Sequence, residues 1–132
     1  MLHEAISERP CRKTFFKGGE RVTVISDETM REWLAKTKAY AAVIVREGPN
    51  WQAEDARAIL WEHGRRNFEL REQRKLCIVC PVTGDGDVRG IGIFDAPAAE
   101  VEAIMAGDPA VKAGVLTFEI HGCRGFPGDA LA

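Results

Sequence analysis

The sequence predicts an α+β domain of strand–helix–strand–strand–helix–strand order, preceded by an N-terminal extension. Two stretches of helical periodicity, Glu54–Gln73 and the segment from Pro97 to Gly107, alternate with β-rich runs. The tetrad Gly84-Asp85-Gly86-Asp87 separates two of those runs as a hairpin turn would. A length of 132 residues fits one domain with some residues left for arms or tails.

Residues 1–38 form the extension. Met1–Lys17 is polar and aperiodic, and Pro10 and Gly18-Gly19 break it. Arg21–Ile25 alternates as a short strand. Ser26 or Asp27 caps a short helix over Glu28–Lys36, with Met30, Trp33 and Leu34 as its apolar stripe. The domain itself is expected over 39–121. Ala39–Val45 is its first strand, ended by Gly48-Pro49-Asn50. The long helix follows, then strands Leu76–Val82 and Val88–Phe94 around the Gly-Asp tetrad. Asp95 and Pro97 open the second helix, proline falling in the first turn where a missing N–H costs nothing. Val101, Ile104 and Met105 make its buried stripe, and Gly107 ends it. Asp108-Pro109 restarts one turn that stops at Gly114. In the last strand, Val115–His121, Leu116, Phe118 and Ile120 face one way and Thr117, Glu119 and His121 the other. Residues 122–132 read as a Gly/Pro tail.

That order is the ferredoxin-like βαββαβ signature, with helices on one face of an antiparallel sheet. The other sheet face then needs a cover. A domain this small buries only about two-thirds of its unfolded surface, so a homodimer closing two sheets face to face, a dimeric α+β barrel, is expected.

Composition narrows the function classes. Apolar residues make up 45% and charged residues 29%, ordinary for a globular chain. Eighteen basic and twenty acidic residues leave a net charge of −2, without the basic excess of a nucleic-acid binder. Arg65-Arg66, Arg71 and Arg74-Lys75 alternate with Glu62, Glu69 and Glu72 as a solvated helix face would. No apolar run approaches the ~20 residues of a membrane span, and the first residues lack the apolar core of a secretory signal, so a cytoplasmic location is expected. Cys77 and Cys80 have CxxC spacing, but on a strand they would point to opposite faces and share no ion. They are read as buried strand cysteines. His3, His63 and His121 show no metal-ligand spacing, and Gly84–Gly90 joins two strands where a phosphate cradle needs a strand-to-helix turn. No metal or cofactor is expected.

Two positions stand out chemically. At 100° per residue from Ala56, Ile59, Leu60, His63, Asn67 and Leu70 share one stripe of the long helix, so His63 and Asn67 occupy places where a leucine would pack better. A polar group there needs a partner, which for His63 read from the sequence alone is a backbone carbonyl. Asp108, preceding Pro109, has a local explanation as a helix N-cap.

The segment Gly107-Asp108-Pro109-Ala110-Val111-Lys112-Ala113-Gly114 before an edge strand, the helix carrying Trp61-Glu62-His63, and Arg46-Glu47-Gly48-Pro49-Asn50-Trp51 at the exit of the first strand together resemble the YCII-related family. The resemblance covers roughly Tyr40–Ile120. It implies a dimeric α+β barrel in which a histidine of the first helix and the aspartate of the Asp-Pro segment act as a catalytic dyad, here His63 and Asp108. It also implies a small-molecule substrate. The expected chemistry is proton transfer on a small cyclic or aromatic compound, of lyase or isomerase type; the alternative is a non-catalytic small-molecule binding or dimerisation module. Arg46 and Asn50 at the strand exit are candidates to orient an anionic substrate, Trp51 to stack on its ring, and Asn67 to bind beside His63.

Overall fold

The computed structural model describes residues 12–132, which fall into two compact units. The smaller contains strands β1 (Arg12–Lys17) and β2 (Glu20–Ile25) and helix α1 (Asp27–Leu34). The sequence reading leaves 12–17 without structure, whereas those residues pair antiparallel with β2, Lys17 opposite Glu20 and Arg12 opposite Ile25. Gly18 and Gly19 are the reason. Both have positive φ, 60° and 85°, which a two-residue turn matched to the strand twist requires. Ser26 caps α1, its Oγ accepting from Thr29 N at 3.1 Å.

The larger unit spans Ala39–Gly125 with Ala130–Ala132. It contains β3 (Lys38–Glu47) from Ala39 on, α2 (Ala56–Glu72), β4 (Leu76–Pro81), β5 (Val88–Phe94), α3 (Ala98–Ala106), the single-turn α4 (Pro109–Lys112) and β6 (Leu116–Gly125). Strand order β4-β5-β3-β6 in an antiparallel four-stranded sheet is the ferredoxin-like arrangement. The fold class is therefore the expected α+β one. β6 runs to Gly125, past the expected end at His121.

Alternation along the strands builds the core. Ala41, Val43 and Val45 of β3 lie opposite Phe94, Gly92 and Gly90 of β5. They face α2 and α3, whose Ala56, Leu70, Val101 and Met105 are buried with them. Val101 of α3 is 0% exposed. The opposite face carries Ala42, Ile44, Ile78, Cys80, Ile91 and Ile93, and no helix of this unit covers it. These side chains are half-buried to exposed, Ile91 at 43%.

Two irregularities change the sequence reading. A register shift between Leu76 and Ile78 places Cys77 at a bulge, where it is exposed rather than buried in the strand. Cys80 is half-buried. At the exit of β3, Gly48 N donates to Val115 O at 2.8 Å and Asn50 N to Gly114 O at 2.8 Å. The backbones approach so closely that a Cβ on Gly48 would stand 2.3 Å from Gly114 O. This clasp fixes α4, and with it Asp108, against the end of the central strand.

Candidate active site

Asp108 is the N-cap of α4. Its Oδ1 accepts from Ala110 N at 2.8 Å and from Val111 N at 3.4 Å. That uses one oxygen and leaves the other for α2. Oδ2 lies 2.8 Å from His63 Nδ1, across 45 residues of sequence. Asp108 is 1% exposed and His63 17%. Burial pushes the Asp108 carboxyl up, but the hydrogen bond and charge of His63, with the two α4 N–H groups, outweigh it and hold the carboxyl below the usual carboxylate range.

An ionised Asp108 only accepts, so Nδ1 of His63 carries the proton it donates. In the neutral ring Nε2 is then an acceptor, and Asn67 Nδ2 stands 3.3 Å from it, one helical turn further along α2. If Nε2 becomes protonated, rotation of the Asn67 amide presents its oxygen instead. The dyad therefore has a partner for either state of the outer nitrogen.

His63 and Asn67 line a cavity between α2 and the sheet, whose other walls include Val43, Val45, Gly90, Gly92 and Met105. Its volume is about 30 Å³, room for a water-sized body. Leu76, Val79 and Phe94 also line it, and a Cβ on Gly92 would meet Leu76 Cδ1 at 3.2 Å. Among the described residues no three His, Cys, Asp or Glu side chains group as metal ligands would. No described helix is long and apolar enough to cross a membrane.

No protein-family model matches the chain, and no curated protein matches it. Among solved structures it is similar to 5-chloro-2-hydroxyhydroquinone dehydrochlorinase of Burkholderia phenoliruptrix in complex with 2,5-dihydroxybenzoquinone. The identity is 20% and the TM-score 0.44, over 61% of this chain and 90% of that one.

The remaining candidates lie elsewhere in the unit. Arg46 Nε donates to Glu119 Oε1 at 2.8 Å and its Nη1 to Asp87 Oδ1 at 3.0 Å, and Glu119 Oε2 is 2.8 Å from His121 Nε2. The hydrogen bond that Arg46 donates to Glu119 raises the Arg46 pKa above its ordinary value, while those with His121 and Arg46 lower that of Glu119. Asn50 Nδ2 donates to Ala113 O at 2.8 Å, which makes it part of the clasp around α4. Trp51 packs on the core, with the Arg89 guanidinium 5.0 Å from its ring centre. Of the four residues assigned to substrate binding, only Asn67 stands at the His63 cavity.

Arg66, which the sequence places on a solvated helix face, stands at the dyad instead. Arg66 turns inward, its Nη1 3.8 Å from Asp108 Oδ2 and buried without a hydrogen bond. It follows His63 by three positions on α2, a spacing that places the two side by side. The pairing of Arg65 with Glu62 at 3.1 Å, by contrast, is the expected surface contact.

Proposed function

We propose that this chain is a small-molecule enzyme of the YCII-related type, in which His63, oriented by Asp108, moves a proton on a small cyclic or aromatic substrate. The observation that carries this reading is the 2.8 Å contact between His63 Nδ1 and Asp108 Oδ2, buried at the wall of a cavity. In the reaction so written, Nε2 takes a proton from a carbon beside a carbonyl, and the C–H electron pair moves into an enolate. The imidazolium that forms is stabilised by the Asp108 carboxylate. Its proton then returns at another carbon, an isomerisation; or the enolate reforms the carbonyl, a C=C forms as the leaving group departs from the neighbouring carbon, and the Nε2 proton passes to that group or to water, a lyase step. In this reading the Asn67 amide turns to accept from the protonated Nε2, and its Nδ2 donates to the enolate oxygen. The chemistry needs no cofactor.

A ring does not fit 30 Å³, and typical ligand pockets run to roughly 300–1,000 Å³. Substrate entry therefore widens the cleft between α2 and the sheet. In this reading the working form is a cytoplasmic homodimer, joined through the apolar face of Ala42, Ile44, Ile78, Ile91 and Ile93 as a dimeric α+β barrel. The small cavity favours a second reading as well, in which the dyad ties α2 to α4 in a binding or dimerisation module. A thermal-shift screen of small lactones and hydroxylated aromatics, followed by product analysis of every binder, separates the two. Consumption of a compound by the wild type and not by His63→Ala supports the enzyme. Binders that are never converted support the module.

A further inference from the structure

Helix α2 carries a second face unrelated to the dyad. Trp61 is 70% exposed and Phe68 62%. Seven residues apart, they lie within about 20° of each other around the helix. The same stripe begins at Arg57 and ends at Glu72, both exposed, with Gly64 and Arg65 at its middle. Where a Cβ of Gly64 would stand there is open space, with nothing within 4 Å. Beside Phe68 lies an open groove of about 560 Å³ lined also by Arg71, Glu72 and Cys77. Arg71 holds the Phe68 ring, its guanidinium 5.5 Å from the ring centre.

This stripe is complementary to itself when reversed. We propose that two copies of the chain pair through α2, antiparallel, about a two-fold axis beside Gly64 and Arg65. Trp61 of each copy then lies against Phe68 of the other and enters the groove beside it. Arg57 of each faces Glu72 of the other, so both ends of the stripe pair opposite charges. Arg65 of each passes over the open space at Gly64 of the other, and its charge is already met by Glu62 of its own helix at 3.1 Å. A two-fold contact requires one patch to match itself, and the order basic, aromatic, glycine, aromatic, acidic does so in the antiparallel sense alone. In a parallel pair the arginines would meet each other, and so would the glutamates.

The pair of aromatics presents roughly 300 Å² per copy, below the ~800 Å² per partner of a standard stable interface. The contact is accordingly reversible, growing with concentration. It uses the side of α2 turned away from the sheet, so it is separable from the sheet-face dimer proposed above.

The test is sedimentation equilibrium of the full chain at rising concentration, repeated in an Ile91→Lys background that disables the sheet face. Circular dichroism checks that each variant is folded. The expected result is a doubling of apparent mass in both backgrounds, weakened roughly tenfold or more by Trp61→Lys. Arg57→Glu also weakens it, and the charge swap Arg57→Glu with Glu72→Arg restores it. Association of Trp61→Lys equal to wild type, or a charge swap no better than Arg57→Glu alone, overturns the proposal. So does a wild type of constant mass, which leaves the stripe to a different partner.

Discussion

Asp108 joins two helices through one carboxylate: Oδ1 caps α4 at Ala110 N, and Oδ2 holds His63 Nδ1 at 2.8 Å on α2. The two roles separate by substitution. Asparagine caps a helix as well as aspartate does, so Asp108→Asn keeps the first role and removes the charge behind the second. Asp108→Ala removes both and leaves a buried N–H of His63 unpaired. We expect Asp108→Ala to cost about 2–4 kcal/mol in urea unfolding, and Asp108→Asn about half of that. Equal costs would show that only one of the two roles contributes.

Acid should act on the same group. The folded pKa of Asp108 is depressed, so its contribution is complete above the unfolded value of about 3.9 and is lost as pH falls through the lower folded value. The stability difference between wild type and Asp108→Asn should therefore shrink as pH falls below ~4. Denaturation curves across that range that stay parallel down to the lowest pH would contradict this.

The clasp at the end of β3 is predicted to be intolerant of any side chain at position 48. A methyl on Gly48 meets Gly114 O at 2.3 Å and Leu116 N at 3.1 Å, both backbone atoms that cannot rotate away. Gly48→Ala should cost about 1–3 kcal/mol, as overpacking does. Because the strain falls on the segment holding Asp108, the His63–Asp108 contact should loosen with it. A Gly48→Ala variant of wild-type stability would show that the clasp gives way cheaply.

How far the sequence carried the structure differs by element. The domain strands and helices were legible because periodicity and turn residues agreed, as at Gly84-Asp85-Gly86-Asp87 between β4 and β5. His63 was legible because a polar residue on an apolar stripe demands a partner, although the identity of that partner came from the resemblance and not from spacing. β1 was not legible. It shows little alternation, and the Gly18-Gly19 turn that creates it reads equally well as a break. Cys77 was misplaced because strict alternation does not foresee a bulge. Arg66 was missed because it adjoins Arg65 in an alternating charge pattern, and only the fold brings Asp108 to its side of α2.

The apolar sheet face makes a separate prediction. Ile91 is 43% exposed there beside Ile44 and Ile93. Sedimentation at low concentration should give twice the chain mass of 14.6 kDa for the wild type and the single mass for Ile91→Lys. A wild type of single mass would remove the sheet-face dimer while leaving the dyad untouched.

Proton abstraction at His63 Nε2 is most directly tested by hydrogen–deuterium exchange at carbon. Each compound that binds is incubated in D₂O with the protein, and its C–H signals are followed by NMR. The wild type should exchange a proton adjacent to a carbonyl in at least one such compound, His63→Ala should not, and Asp108→Asn should do so at least tenfold more slowly, about 1.4 kcal/mol in barrier. Exchange proceeding at the wild-type rate in His63→Ala would contradict a proton-transfer role for the pair.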